Sequence, residues 1–275
     1  MDTATHDAGF PEALVRTALE GLPRTPGMQV LGISGLQGSG KSTLAAQVVR
    51  AAGEAGLSAA GLSLDDFYLT REQRLRLAAT VHPLLATRGP PGTHDVPLAL
   101  ATIDALRAGD TPPLPRFDKL ADDRLPPGQW TRPTRPLDLL VFEGWCLGVP
   151  AEDEQALATP VNALEAGEDP DGTWRRYCND ALARDYPALW SRLDRLWFLQ
   201  PPGFDAVYEW RSQQEQALQA ASPGRRGMDP AALRRFIGHY ERVSRQALRT
   251  LPDLADTLVQ LDQGRRIIGR RTAQT

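Results

Sequence analysis

The sequence predicts an α/β fold, a parallel β-sheet flanked by helices, and three observations carry that reading. Short apolar runs suited to buried strands recur at residues 28–34, 57–64, 138–142, 193–199 and 257–261. The first two are joined through a helical segment, which makes a βαβ crossover and therefore a parallel sheet. The link between strand and helix is Gly35-Leu36-Gln37-Gly38-Ser39-Gly40-Lys41-Ser42-Thr43, whose spacing matches a phosphate-cradling loop.

Each element follows in order. Residues 11–22 put Leu14, Ala18 and Leu22 on one helical face with Val15 and Leu19 beside it, and Pro23 and Pro26 close that helix. Residues 28–34 form the first strand, and residues 42–52 form a helix with Leu44, Ala45, Val48 and Val49 inward. Residues 57–64 are the second strand. Residues 81–136 are rich in proline and loops, with one helix at 97–108, a length of irregular chain that is usually functional or disordered. The strand at 138–142 ends in Glu143-Gly144. The acidic stretch 150–192 carries a short helix at 160–166, with Thr159 as its N-cap, and a longer one at about 174–193. Between the last two strands lie a helix at about 204–220, the turn 222–227, and a long helix capped by Asp229 with Pro230 at its first position. Trp174, Trp190 and Trp197 read as core. One domain over residues 1–275 is expected, with a helical insertion at about 150–192 and a lid with its flanking helices at about 204–250.

Composition narrows the partners. A net charge of −3 over 275 residues argues against a general binder of nucleic acid or anionic membrane. Cys146 and Cys178 are the only cysteines and no His or Cys cluster has metal spacing, which points away from disulfides and zinc and toward a reducing, cytoplasmic setting. The first residues lack a basic segment followed by an apolar core, and no apolar run reaches membrane length. A small-molecule partner is expected, with no protein partner evident. Among 31 Lys and Arg residues, only Lys41 and Lys119 are lysine.

The chemistry starts at the loop. Gly35, Gly38, Ser39 and Gly40 let backbone N–H groups converge on phosphate oxygens, the following helix adds its positive end, and Lys41 supplies a mobile charge. Ser42 offers a hydroxyl to Mg²⁺, and Glu143, at the end of a buried strand, is placed to hold a water on that ion. Ligands of open α/β sheets sit beyond the carboxyl ends of the strands, so Asp65 and Asp66, after the second strand, fall beside a bound nucleotide such as ATP. Asp65 is the candidate base for a substrate hydroxyl, and the competing reading makes one or both aspartates helix caps. His82, Arg88, His94, Arg116 and Lys119 crowd the irregular stretch between that base and Glu143. Arg211, Arg225 and Arg226 flank a segment that reads either as a solvated arginine face or as a lid with a cation for the transferring phosphoryl.

With these residues in view, the sequence resembles the phosphoribulokinase and uridine kinase group of P-loop kinases. The resemblance lies in GLQGSGKST, in Asp65-x-Phe67-Tyr68, in Val141-Phe142-Glu143-Gly144, and in Pro115-x-Phe117-Asp118 with Arg124 nine residues after the proline. In that group the first acid of the aspartate motif is the base, which implies Asp65 rather than Asp66. Phe117 stands where the group usually has Tyr. Within the group the chain is similar to the D-glycerate 3-kinase family, through SLDDFYLT, HPLLATRGPPGTHD, PRFDK, FEGWCLG and VYEWR. That resemblance implies an ATP- and Mg²⁺-dependent kinase making 3-phosphoglycerate from D-glycerate, with Thr43 in the nucleotide site and Tyr68 and Asp118 among the substrate-binding residues. The acidic stretch 150–192 lies outside the shared kinase core.

Residues 69–130 offer few stacking groups for a base but two histidines, a lysine and several arginines, a balance suited to a small hydroxy acid. Arg88 and Arg116 lead as carboxylate partners, supported by Lys119 or His94. A GTPase would need Asn-Lys-x-Asp, and neither lysine follows an Asn. A uridine- or pantothenate-type kinase, or an ATP-binding protein without transfer, remain the alternatives.

Overall fold

The computed structural model describes residues 9–22, 26–221 and 228–273. The chain begins with α1 (Glu12–Glu20), then β1 (Gln29–Gly35), the glycine-rich loop and α2 (Lys41–Glu54). Next come β2 (Ala59–Ser63), a 3₁₀ turn (Leu64–Phe67), α3 (Arg71–Thr80) and α4 (Val96–Arg107). The small hairpin β3 (Phe117–Asp118) and β4 (Asp123–Arg124) precedes β5 (Leu139–Gly144). Then follow α5 (Ala163–Glu168), α6 (Thr173–Arg184), α7 (Tyr186–Trp190), β6 (Arg195–Gln200), α8 (Asp205–Ala221), α9 (Pro230–Leu254), β7 (Thr257–Leu261) and β8 (Ile267–Thr272).

The main sheet runs β2-β5-β1-β6-β7-β8, parallel except for the antiparallel edge strand β8. Because side chains alternate along a strand, the sheet feeds two cores. Val30, Leu140, Phe142, Leu196 and Phe198 join α4, α7 and α9 on one face. Leu31, Ile33, Val141, Trp197 and Leu199 join α1, α2 and α8 on the other. This packing fixes the carboxyl ends of β1, β2 and β5 side by side, with Ile33 and Ser63 both in register with Glu143. Among the described residues, no helix is long and apolar enough to cross a membrane.

Three expectations need correction. The cap of α5 is Asn162, whose side chain accepts from the Glu165 N–H at 2.9 Å, while the Thr159 carbonyl is taken by the Arg242 guanidinium at 2.7 Å. The helix expected over 174–193 breaks into α6 and α7, since Pro187 cannot donate and disfavours helical geometry in the residue before it. The irregular stretch also holds more order than its composition suggests, in the β3-β4 hairpin. Trp174 and Trp197 are buried, and Trp190 packs half-buried against the core.

The acidic stretch is tied down by buried arginines. Arg242 of α9 donates to both oxygens of Glu165, at 2.8 and 2.7 Å, and to Glu152 at 2.9 Å. Arg175 pairs with Asp169 at 3.0 Å. Both ends of the described chain reach the phosphate loop. Phe10 exchanges two backbone hydrogen bonds with the Gln47 amide and lays its ring against Gly40. Arg265, in the β7-β8 turn, donates to the Gly38 carbonyl at 2.7 Å, reaches Gln213 at 2.9 Å, and lies over the Trp210 ring.

Candidate active site

The loop geometry follows from its glycines. Gly38 and Gly40 have φ of 85° and 88°, where a side chain is strained, and a Cβ on Gly38 would sit 2.6 Å from the Trp210 Cβ. A Cβ on Gly35 would meet the Ser39 hydroxyl at 2.6 Å, so loop and strand close tightly. No side chain caps the first turn of α2, which leaves its N–H groups aimed at the loop's hollow. Ser39 is buried and Thr43 faces solvent.

At the start of α2, Ser42 Oγ donates to Glu143 Oε1 at 2.8 Å, and Lys41 Nζ lies 3.9 Å from Glu143 Oε2. Glu143 is buried, and its Oε2 has no hydrogen-bond partner. A hydroxyl and an unsatisfied carboxylate oxygen beside a phosphate cradle form a donor set suited to Mg²⁺, which takes few protein oxygens and completes its shell with water and phosphate.

The two aspartates separate cleanly. Asp66 closes the 3₁₀ turn: its carboxylate accepts from the Ser63 N–H at 3.1 Å and from Arg116 at 3.1 Å. Asp65 points into a cavity of about 220 Å³ that also meets Gly38, Lys41, Ser42, Arg88 and Arg211. Tyr68 donates its hydroxyl to Asp65 Oδ1 at 2.7 Å, and Lys119 donates to Oδ2 at 2.7 Å. Burial pushes the Asp65 carboxyl up, but Lys119 and Lys41 outweigh it and hold the group at about 2. Burial, eased by the Ser63 N–H and Arg116, leaves Asp66 above the usual carboxylate range.

The expected substrate residues divide. Tyr68, Arg88 and Lys119 line the cavity with Asp65. Arg88 pairs with Asp122 and lies over the Phe117 ring. Arg116 does not reach the cavity, because Asp66 and the Pro115 carbonyl occupy its guanidinium. His94 lies behind Tyr68, ring against ring, with Nδ1 2.6 Å from the Tyr186 hydroxyl, and burial lowers its pKa to about 4. Asp118 turns into its own loop, accepting from the Leu120 and Ala121 N–H groups. His82 caps the turn that follows it by accepting from the Leu84 N–H.

Arg211 enters from α8 with Nε buried and unpartnered, one amino group 2.8 Å from Gln214, and its guanidinium over Phe236. Arg225 and Arg226 lie outside the described residues. Sequence reasoning missed the aromatic wall of Trp145, Phe236 and Tyr240 and the Gln37 amide, buried with neither end partnered. The wall was detectable: Phe236 and Tyr240 are four residues apart, on one face of α9.

With this geometry in place, the chain can be set beside known proteins. No family profile matches it. It is 34% identical over 232 residues to the uncharacterized kinase mug58 of Schizosaccharomyces pombe, covering 81% of this chain and 82% of that one. It is 31% identical over 238 residues to the chloroplastic D-glycerate 3-kinase of Arabidopsis thaliana, where the match spans 81% of this chain and 48% of the plant protein. The solved D-glycerate 3-kinase from Cryptococcus neoformans superposes with a TM-score of 0.76 at 26% identity, over 95% of this chain and 96% of that structure.

Proposed function

Because the chain belongs to the D-glycerate 3-kinase-like family of P-loop kinases and is an ATP-dependent kinase acting on a small molecule, we propose that its acceptor is D-glycerate and its product 3-phosphoglycerate. One observation carries the choice. The cavity that joins the phosphate loop to Asp65 is lined by Lys41, Arg88, Lys119 and Arg211, a cationic set suited to a phosphate chain at one end and a small carboxylate at the other.

In this reading, the α2 N-terminus and Lys41 grip the β- and γ-phosphates of ATP. Ser42 and Glu143 would hold Mg²⁺, which when bound neutralises phosphate charge. Arg88 and Lys119 receive the acceptor's carboxylate, and Asp65 takes the proton of the attacking hydroxyl as its oxygen bonds to the γ-phosphorus and ADP leaves. Arg211 faces the transferring group from α8. Tyr68 fixes the rotamer of the base.

The aromatic wall favours one rival, since Trp145, Phe236 and Tyr240 offer faces on which a nucleoside can stack. The deciding measurement is kcat/KM for D-glycerate, glycerol and uridine, with the phosphorylated position identified by phosphorus NMR. A preference for D-glycerate over glycerol supports the proposal, and efficient turnover of uridine overturns it.

A further inference from the structure

Asp65 is an unusual resting base, because both of its oxygens already accept. Tyr68 holds Oδ1 and Lys119 holds Oδ2, each at 2.7 Å. A carboxylate held at about 2 by Lys119 and Lys41, against the opposing pull of burial, has little affinity for a proton. The two clamps differ in kind. Tyr68 is buried in the core, its ring packed on His94 and Phe117. Lys119 comes from the exposed β3-β4 turn, its side chain 61% accessible, next to the fully projecting Leu120.

That hairpin is firm at its base and at Asp122, which pairs with Arg74 and Arg88, while the Lys119 side chain is exposed. The Phe117 ring lies under the Arg74 and Arg88 guanidiniums, and Arg124 donates twice to the Tyr68 carbonyl. Lys119 therefore has a fixed origin and a mobile end, a point charge on a flexible stem. The same cavity wall carries Arg88, which pairs with Asp122, besides Lys41 and Arg211 toward the phosphate loop.

Resting on the phosphoryl-transfer reading above, we propose that Lys119 is an acceptor-operated latch on Asp65. With the acceptor absent, Lys119 occupies the oxygen that must take the proton, so water in the cavity is not activated. An acceptor carboxylate seated between Arg88 and Lys119 draws the ammonium off Oδ2 and frees it for the acceptor hydroxyl. Neutral acceptors leave the latch closed. Lys119 is thus a positioning and specificity-determining residue, and it protects ATP from hydrolysis. In the unlatched reaction with water, the water oxygen bonds to the γ-phosphorus, its proton passes to Asp65, and ADP and inorganic phosphate leave.

The test is acceptor-free ATP hydrolysis by the full chain as wild type, Lys119→Met, and Lys119→Met with Asp65→Asn. Expected are a rise on the order of tenfold in Lys119→Met, from a more basic Asp65, and its loss in the double variant. The acid limb of hydrolysis should also move to higher pH in Lys119→Met, since removing the cation raises the folded carboxyl. With glycerol as acceptor, kcat should rise in Lys119→Met while KM for D-glycerate increases. A lysine that only binds the carboxylate would leave glycerol kcat unchanged. Hydrolysis no faster than wild type, or a rise that survives loss of Asp65, overturns the latch. If wild type phosphorylates no hydroxy acid, the acceptor proposal fails while hydrolysis still decides the latch.

Discussion

At the residue scale, two adjacent acids do different work for a reason visible in their hydrogen bonds. Asp66 is spent on the turn at Ser63 and on Arg116, and Asp65 is left to face the phosphate loop. Asp65→Asn should lower kcat by about 10² or more with ATP affinity within a few-fold, in steady-state assays and nucleotide titrations. Asp66→Ala should instead lower stability by about 1–2 kcal/mol in urea, through the lost cap and the stranded Arg116. The choice between the two acids was legible only through the motif resemblance, because their sequence context is shared. Arg116 was misread because its partner lies 50 positions away, a distance no local pattern spans. The pH dependence of Asp65 has a definite sign. Its folded pKa of about 2 lies below the ordinary 3.8, so its ionised form stabilises the fold above about pH 4, and that contribution is lost as pH falls through 2. The difference in urea midpoint between wild type and Asp65→Asn should therefore shrink between pH 5 and pH 2.

At the element scale, periodicity read well wherever an element buries an apolar face. All five expected strands formed, β7 to the residue, and α9 starts from Asp229 and Pro230 as its sequence requires. What escaped notice lacks such a face. The only buried residue of α3 is Arg74, satisfied by three backbone carbonyls, and the edge strand β8 reads Ile-Ile-Gly-Arg-Arg-Thr in mostly exposed positions. The β3-β4 hairpin has two residues per strand and is held by Arg74 and Arg88, which pair with Asp122, and by its own Arg124 on the Tyr68 carbonyl. The acidic stretch 150–192 gave no hint of its anchor, since Arg242 lies far along the chain. That anchor is a sharp target. Arg242→Ala leaves Glu165 buried without its countercharge and Glu152 with Arg249 alone, and should cost about 3–5 kcal/mol in urea unfolding. Because α9 also carries Phe236 and Tyr240, KM for the acceptor should rise in the same variant under conditions where it stays folded.

At the scale of the whole molecule, no local pattern could reveal that β5 inserts between β1 and β2, yet this order sets Glu143 between the phosphate loop and Asp65. The loop is also gripped from afar, at Gly40 by Phe10 and at the Gly38 carbonyl by Arg265. Arg265→Ala should raise KM for ATP several-fold with little change in KM for the acceptor, since it frees a loop carbonyl without touching Asp65 or Lys119. The Arg265 clasp also bears on the order of synthesis. A nascent chain displays the whole phosphate loop once Thr43 has emerged, but the residue that fastens it is made more than two hundred positions later. Until then the ribosome holds a loop of the right sequence without its fastening, and the grip on nucleotide matures only after Arg265 has been made.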